Sequence, residues 1–102
     1  MSSEKEKYLK AYSKLSWMIL HHKFRYYEGA KYNIKPVPDN EYDTLENMYK
    51  KIAKKLNEKT TASDMVGFNN EKASCRMIAN NLISTHGKPL FKIKIKGKVY
   101  YA

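Results

Sequence analysis

Two clusters of aromatic and acidic residues carry the side chains in this sequence best suited to chemistry. The run His22-Lys23-Phe24-Arg25-Tyr26-Tyr27 is followed, after a proline-containing connection, by Asp39-Asn40-Glu41-Tyr42-Asp43-Thr44-Leu45. At helical spacing Asp39, Tyr42 and Asp43 stand at i, i+3 and i+4, so they share one patch on the first turn of a helix. Tyr26 and Tyr27 fall at the end of the helix before it. A short connection folds two such helices antiparallel and brings both clusters to one mouth. Flat phenol faces attract a cationic aromatic ring, and carboxylates accept hydrogen bonds from ribose hydroxyls or a carboxamide. The same residues also have a plainer use. Tyrosines at helix ends pack core edges, and Asp39 caps a helix start.

A second chemical feature lies at the other end of the chain. Lys92, Lys94, Lys96 and Lys98, with Tyr101, could contact phosphates and stack a base. The alternative is a solvated edge hairpin whose lysines block aggregation. Other chemistry is poorly provided for. His21 and His22 are adjacent and point to different sides of a helix, His86 is isolated, and Cys75 has no partner at ligand spacing, so no metal site is expected. Cys75 reads as a small buried hydrophobe. No Gly-rich phosphate loop is present.

The elements that must position these groups follow from hydrophobic period. Tyr8, Tyr12, Leu15, Ile19, His22 and Tyr26 step by four and three, which predicts a helix from about Lys5 to Tyr27. Trp17, Met18, Leu20 and Phe24 widen its apolar stripe, and Gly29 is a suitable stop. Pro36 and Pro38 make 29–38 a loop. Tyr42, Leu45, Tyr49, Ile52 and Leu56 predict a second helix from Asp39 or Asn40 to Leu56, with Asp39 as its cap. Residues 57–69 read as polar loop. Cys75, Ile78, Ala79, Leu82 and Ile83 predict a third helix from about Glu71 to Ser84, closed by Gly87 and Pro89. Phe91, Ile93 and Ile95 alternate with lysines, and Lys96-Gly97 turns the chain into Val99-Tyr100-Tyr101. That turn pairs Ile93 with Tyr100 and Lys92 with Tyr101.

The expected fold class is therefore α+β and mostly helical: an antiparallel two-helix hairpin, a third helix and a C-terminal β-hairpin. The 102 residues are one domain's worth. They divide into the helical hairpin over 8–57 and the helix with basic hairpin over 70–102. The net charge is +10, of which +7 lies after Glu71, the last acidic residue. Such a balance favours acidic partners. One cysteine excludes an internal disulfide framework and fits a reducing compartment. No apolar run approaches the roughly 20 residues of a membrane span, and no secretory signal is visible. A cytoplasmic protein with no membrane partner is expected, and a large multidomain enzyme is excluded by length.

The run His-x-Phe-Arg-Tyr-Tyr followed by Asp-x-Glu-Tyr-Asp-x-Leu resembles the N-terminal Ia subdomain of bacterial NAD-dependent DNA ligases. The resemblance covers about residues 8–57 and extends to a Val-Gly at Val66-Gly67. That subdomain binds the nicotinamide mononucleotide half of NAD and closes over the adenylation domain. The resemblance implies that Tyr26, Tyr27, Asp39, Tyr42 and Asp43 contact the nicotinamide nucleotide. Tyr42 would stack on the ring, Asp39 and Asp43 would address carboxamide and ribose, and Tyr26 and Tyr27 would complete the wall. The connection through Lys31-Tyr32-Asn33-Ile34-Lys35 is longer than usual in that family. The Lys-x-Asp-Gly adenylation motif is missing, the nearest string being Lys94-Ile95-Lys96-Gly97. So are the family's zinc-finger cysteines and the length for an oligonucleotide-binding fold.

The expectation is a non-catalytic module that binds NAD or nicotinamide mononucleotide, with no catalytic residue of its own. It would serve as a piece of a split ligase, partnering an adenylation domain, or as a small regulator, and a phage or mobile-element setting suits its size and lysine content. The alternative is a small basic protein that binds nucleic acid or an acidic protein through its C-terminal hairpin, with the ligase-like helices only as scaffold.

Overall fold

A computed structural model describes residues 2–102 of the chain. Helix α1 spans Ser2–Tyr27, α2 Asp39–Leu56, α3 Thr61–Asp64 and α4 Ala73–Ser84, and the strands β1 (Lys92–Ile95) and β2 (Lys98–Tyr101) follow. A 26-residue helix is about 39 Å long at 1.5 Å per residue. It therefore sets most of the 45 Å long dimension of the molecule. Among the described residues no helix is long and apolar enough to cross a membrane.

Helices α1 and α2 pack antiparallel, as two ring pairs show. Tyr12 stacks on Tyr49 near one end, with centroids 5.3 Å apart. His22 meets Tyr42 edge-on at 6.2 Å near the other. The α1 stripe is wide because it serves two clusters. Leu15, Met18 and Ile19 pack with Leu45, Tyr49, Ile52, Ile95 and Tyr100. Phe24 packs with Ile34, Ile78 and Leu82. Between these clusters the helix is enclosed all round, and His21, His22, Lys23, Phe24 and Arg25 are all buried in succession. Each cation reaches a carbonyl: Lys23 Nζ donates to Met65 O at 2.7 Å, and Arg25 Nη1 to Gly87 O at 2.9 Å, while the buried Arg25 Nε has no partner among the described residues. Burial of long cationic side chains with the charge delivered to a carbonyl is the expected compromise.

Several boundaries differ from the sequence reading, each for a local reason. The segment 29–38 opens with a one-turn 3₁₀ helix over Gly29–Tyr32. Gly29 does not act through a left-handed cap, which falls instead on Asn33 at φ 60°. It is required by close approach, since a Cβ there would lie 2.6 Å from the Ile34 carbonyl oxygen. Asp39 is not the N-cap of α2. Pro38 holds that position, and its carbonyl accepts from the amides of Glu41 and Tyr42. Asp39 is thus the first helical residue, where its charge still favours the helix dipole but its carboxylate makes no cap bond.

The polar stretch 57–69 contains α3, one turn held by the Thr60 hydroxyl donating to Asp64 at 2.7 Å and by burial of Ala62. Helix α4 starts two residues later than expected, at Ala73, and buries Cys75, Ile78 and Leu82. Cys75 is a free thiol with no exposed surface.

The hairpin has the expected register, Lys92 opposite Tyr101 and Ile93 opposite Tyr100. Lys96 and Gly97 both take positive φ, 50° and 84°, as a type I′ two-residue turn demands. Ile93, Ile95 and Tyr100 face the core, while Lys92, Lys94, Val99 and Tyr101 are exposed on the other side. The ladder extends through Ala102, whose carbonyl accepts from Leu90 and Phe91 and whose amide donates back to Phe91.

Candidate functional site

The end of α1, the extended connection before α2 and the first turn of α2 enclose a cavity of about 230 Å³. It is lined by Tyr26, Tyr27, Asp39 and Tyr42, and also by His22, Lys23, Pro36 and Val37. Four of the five residues singled out by spacing therefore converge on one opening. Asp43, the fifth, is exposed and does not line the cavity. Its carboxylate is near enough to Tyr42 to help raise that phenol's pKa. The long connection does not separate the clusters, because the 3₁₀ turn takes up its extra residues before Pro36 and Val37 become a wall.

The rings are held in distinct ways. Tyr26 and Tyr27 pack against each other at 5.0 Å with an interplanar angle of 78°, and both are more than half exposed, at 65% and 51%. Such faces are free to receive a planar group. Tyr42 is half-buried, and its hydroxyl donates to Glu46 Oε2 at 3.2 Å. The Ser63 hydroxyl donates to the same oxygen, so Glu46 joins the cavity wall to α3. Burial first, and then the Glu46 charge, hold the Tyr42 phenol well above its usual pKa.

The sequence reading missed His22 as a cavity residue. It is 2% exposed and neither ring nitrogen has a hydrogen-bond partner. Desolvation, with the nearby Arg25 and His21 charges adding to it, pushes its pKa down to about 4. A neutral imidazole at the back of the cavity results. His21 is different: its Nδ1–H donates to the Trp17 carbonyl at 2.6 Å, and burial lowers its pKa as well. The only sequence signal for His22 was a histidine on an apolar stripe. Pro36 and Val37 gave none, since walls built from extended backbone have no period.

At the hairpin the five predicted residues separate. Lys92 and Lys94 share the outer face with Tyr101. Lys96 sits in the turn. Lys98 pairs with Ile95 and turns its ammonium over the Tyr100 ring at 5.1 Å, so it belongs to the inner edge. Among the described residues no group of three or more His, Cys, Asp or Glu could hold a metal ion.

The chain matches no protein-family model, no curated protein and no solved structure. A ligand enclosed on most sides needs roughly 300–1,000 Å³. At about 230 Å³ the cavity accommodates one ring and part of a sugar, and leaves the rest of a larger ligand in solvent. It offers aromatic faces, one carboxylate at the rim, one buried imidazole and the Lys23 side chain, whose ammonium is turned to the Met65 carbonyl.

Proposed function

We propose that this cavity binds the nicotinamide mononucleotide half of NAD, and that the chain is a recognition module rather than an enzyme. The observation that carries this reading is the convergence of Tyr26, Tyr27, Asp39 and Tyr42 on a single open cavity. A pyridinium ring lies between the phenol faces, drawn by cation–π attraction and by the Asp39 charge. Its carboxamide and ribose hydroxyls donate to Asp39, with Asp43 beside the entrance. The resemblance of residues 8–57 to the ligase Ia subdomain supports the same choice of ligand. With no Lys-x-Asp-Gly motif, the chain supplies binding only. Its partner in this reading is an adenylation domain carried by another polypeptide, as in a split ligase, or a protein it regulates through NAD.

The test is titration with nicotinamide mononucleotide, followed by calorimetry and by NMR of the tyrosine rings. A half-enclosed site predicts weak binding, on the order of 1 mM, or about 4 kcal/mol. Shifts should concentrate at Tyr26, Tyr27 and Tyr42. Asp39→Ala should weaken binding by about 1.5–3 kcal/mol, as for a hydrogen bond to a charged acceptor. No heat and no shift at millimolar ligand would remove the reading.

A further inference from the structure

We propose that the outer face of the C-terminal hairpin is a second binding site, for single-stranded nucleic acid without sequence preference. This site is independent of the nicotinamide cavity. Three observations converge on it.

The first is uncompensated charge. No acidic residue follows Glu71, whereas seven cationic ones do. The ion pairs among the described residues are Lys31–Glu28 and Lys50–Glu46, so no carboxylate neutralises Lys92 or Lys94. The second is composition of the face. Leu90, Val99 and Tyr101 are 41%, 40% and 52% exposed. Register sets Lys92 beside Tyr101 and Lys94 beside Val99. Among the described residues the Tyr101 ring stacks on no other aromatic side chain. Cation and apolar surface therefore alternate across one face of a ribbon whose other side is fixed to the core. The third is spacing. Lys92 and Lys94 are two residues apart on one strand, about 6.6 Å at 3.3 Å per residue, which suits consecutive phosphates of an extended strand.

Size decides between occupants. Each strand has four residues, about 13 Å of length, and neighbouring strands lie about 4.8 Å apart. A stable protein interface needs about 800 Å² on each partner, far more than this ribbon offers. Two phosphates and one stacked base need no more than is present. A duplex hides its base faces, so Tyr101 can stack only on an unpaired base.

The experiment is fluorescence anisotropy with a labelled oligothymidine, its duplex, and a polyglutamate competitor. If each lysine neutralises one phosphate of a single strand, the pair contributes about −1.4 to the slope of log affinity against log salt. Replacing both in Lys92→Gln/Lys94→Gln should remove that much slope. The corresponding loss is roughly 60-fold at about 50 mM salt, taking the electrostatic contribution to vanish near 1 M. Tyr101→Ala should lose about 5-fold or more on the single strand, while Tyr101→Phe retains binding because the ring does the stacking. The control Lys50→Gln/Lys54→Gln changes net charge equally on α2. Equal losses from the two lysine pairs would overturn the proposal, leaving only the attraction of a +10 protein. So would tighter binding to duplex, competition by polyglutamate at matched charge, or undiminished binding by Tyr101→Ala. All substituted side chains are exposed, and an unchanged thermal melt confirms that each variant is folded.

Discussion

Lowering the pH from 7.5 to 4 should destabilise the protein through His22, and the size of the effect follows from its burial. In the unfolded chain His22 has an ordinary pKa near 6.5. In the folded chain desolvation, Arg25 and His21 push it down to about 4. Between those values the unfolded state binds a proton that the folded state refuses. Stability therefore rises with pH across that window. His22 costs nothing above about pH 6.5, and its destabilising effect is complete once the pH falls through about 4. Each pH unit of difference is worth about 1.36 kcal/mol, so the whole excursion is about 3 kcal/mol, a large share of the 5–15 kcal/mol typical of a domain. The measurement is urea unfolding at a series of pH values, with a constant m confirming two-state behaviour. His21 titrates in the same direction, and carboxylates contribute at the acid end. The informative quantity is thus the difference in slope between the wild type and His22→Leu. The variant should have a flatter acid limb whatever its own stability at pH 7.5. Parallel pH profiles for the two proteins would refute the argument.

Gly29→Ala should destabilise more than an overpacked side chain at a forgiving site, because the obstruction is backbone. Its Cβ must gain about 0.8 Å, from 2.6 Å to the 3.4 Å of ordinary contact with the Ile34 carbonyl. The expected loss is about 1–3 kcal/mol, read as a fall in Tm of about 4–8 °C per kcal/mol, and a melt like that of the wild type would count against it. Glu46→Gln should bring the Tyr42 pKa down, since the Glu46 carboxylate is the largest influence after burial; ¹³C-tyrosine NMR against pH reads this directly. Glu46→Ala should further lose about 1.5–3 kcal/mol, from two hydrogen bonds to a charged acceptor, measured by denaturant unfolding. The purified chain should acquire no label from adenylate-labelled NAD. The reason is that Lys94-Ile95-Lys96-Gly97 forms a hairpin strand end and turn with both lysines exposed to solvent, not a nucleotide pocket.

The long helices were legible because α1 and α2 each repeat apolar residues over several turns, and period is the strongest signal a sequence carries. The hairpin register was legible because Lys96-Gly97 admits only one short turn between two alternating runs. By contrast α3 rests on two side-chain bonds, Thr60 to Asp64 and Ser63 to Glu46, and one buried alanine. Four residues leave no period to detect. Asp39 reads as a cap because aspartate at a helix start usually is one; the extended backbone of Pro38 takes that role and leaves Asp39 as the first residue of α2. The cavity was half legible. Helical spacing found Tyr26, Tyr27, Asp39 and Tyr42, but it passed over His22 and Lys23 on α1 and grouped Asp43 with the rest on an idealised helix face. It was silent on Pro36 and Val37, whose place depends on how the connection folds back. The division of the lysines was implicit in the register, which sets Lys98 against Ile95 on the inner side.

The lone thiol turns the C-terminal helix into its own gauge of opening. Cys75 has no exposed surface, and it is the sole cysteine of the chain. Cys75 lies at the base of a cavity it shares with Trp17, Leu20, Ala62 and Met65, so an alkylating reagent reaches it when α4 or the α3 segment shifts, or when the whole protein unfolds. Its modification rate under native conditions counts those events directly, with no label to introduce and no other thiol to confuse the count. If the rate follows denaturant as steeply as global unfolding does, this region opens only with the rest; a shallower dependence would mark α4 or the α3 segment as a unit that detaches earlier.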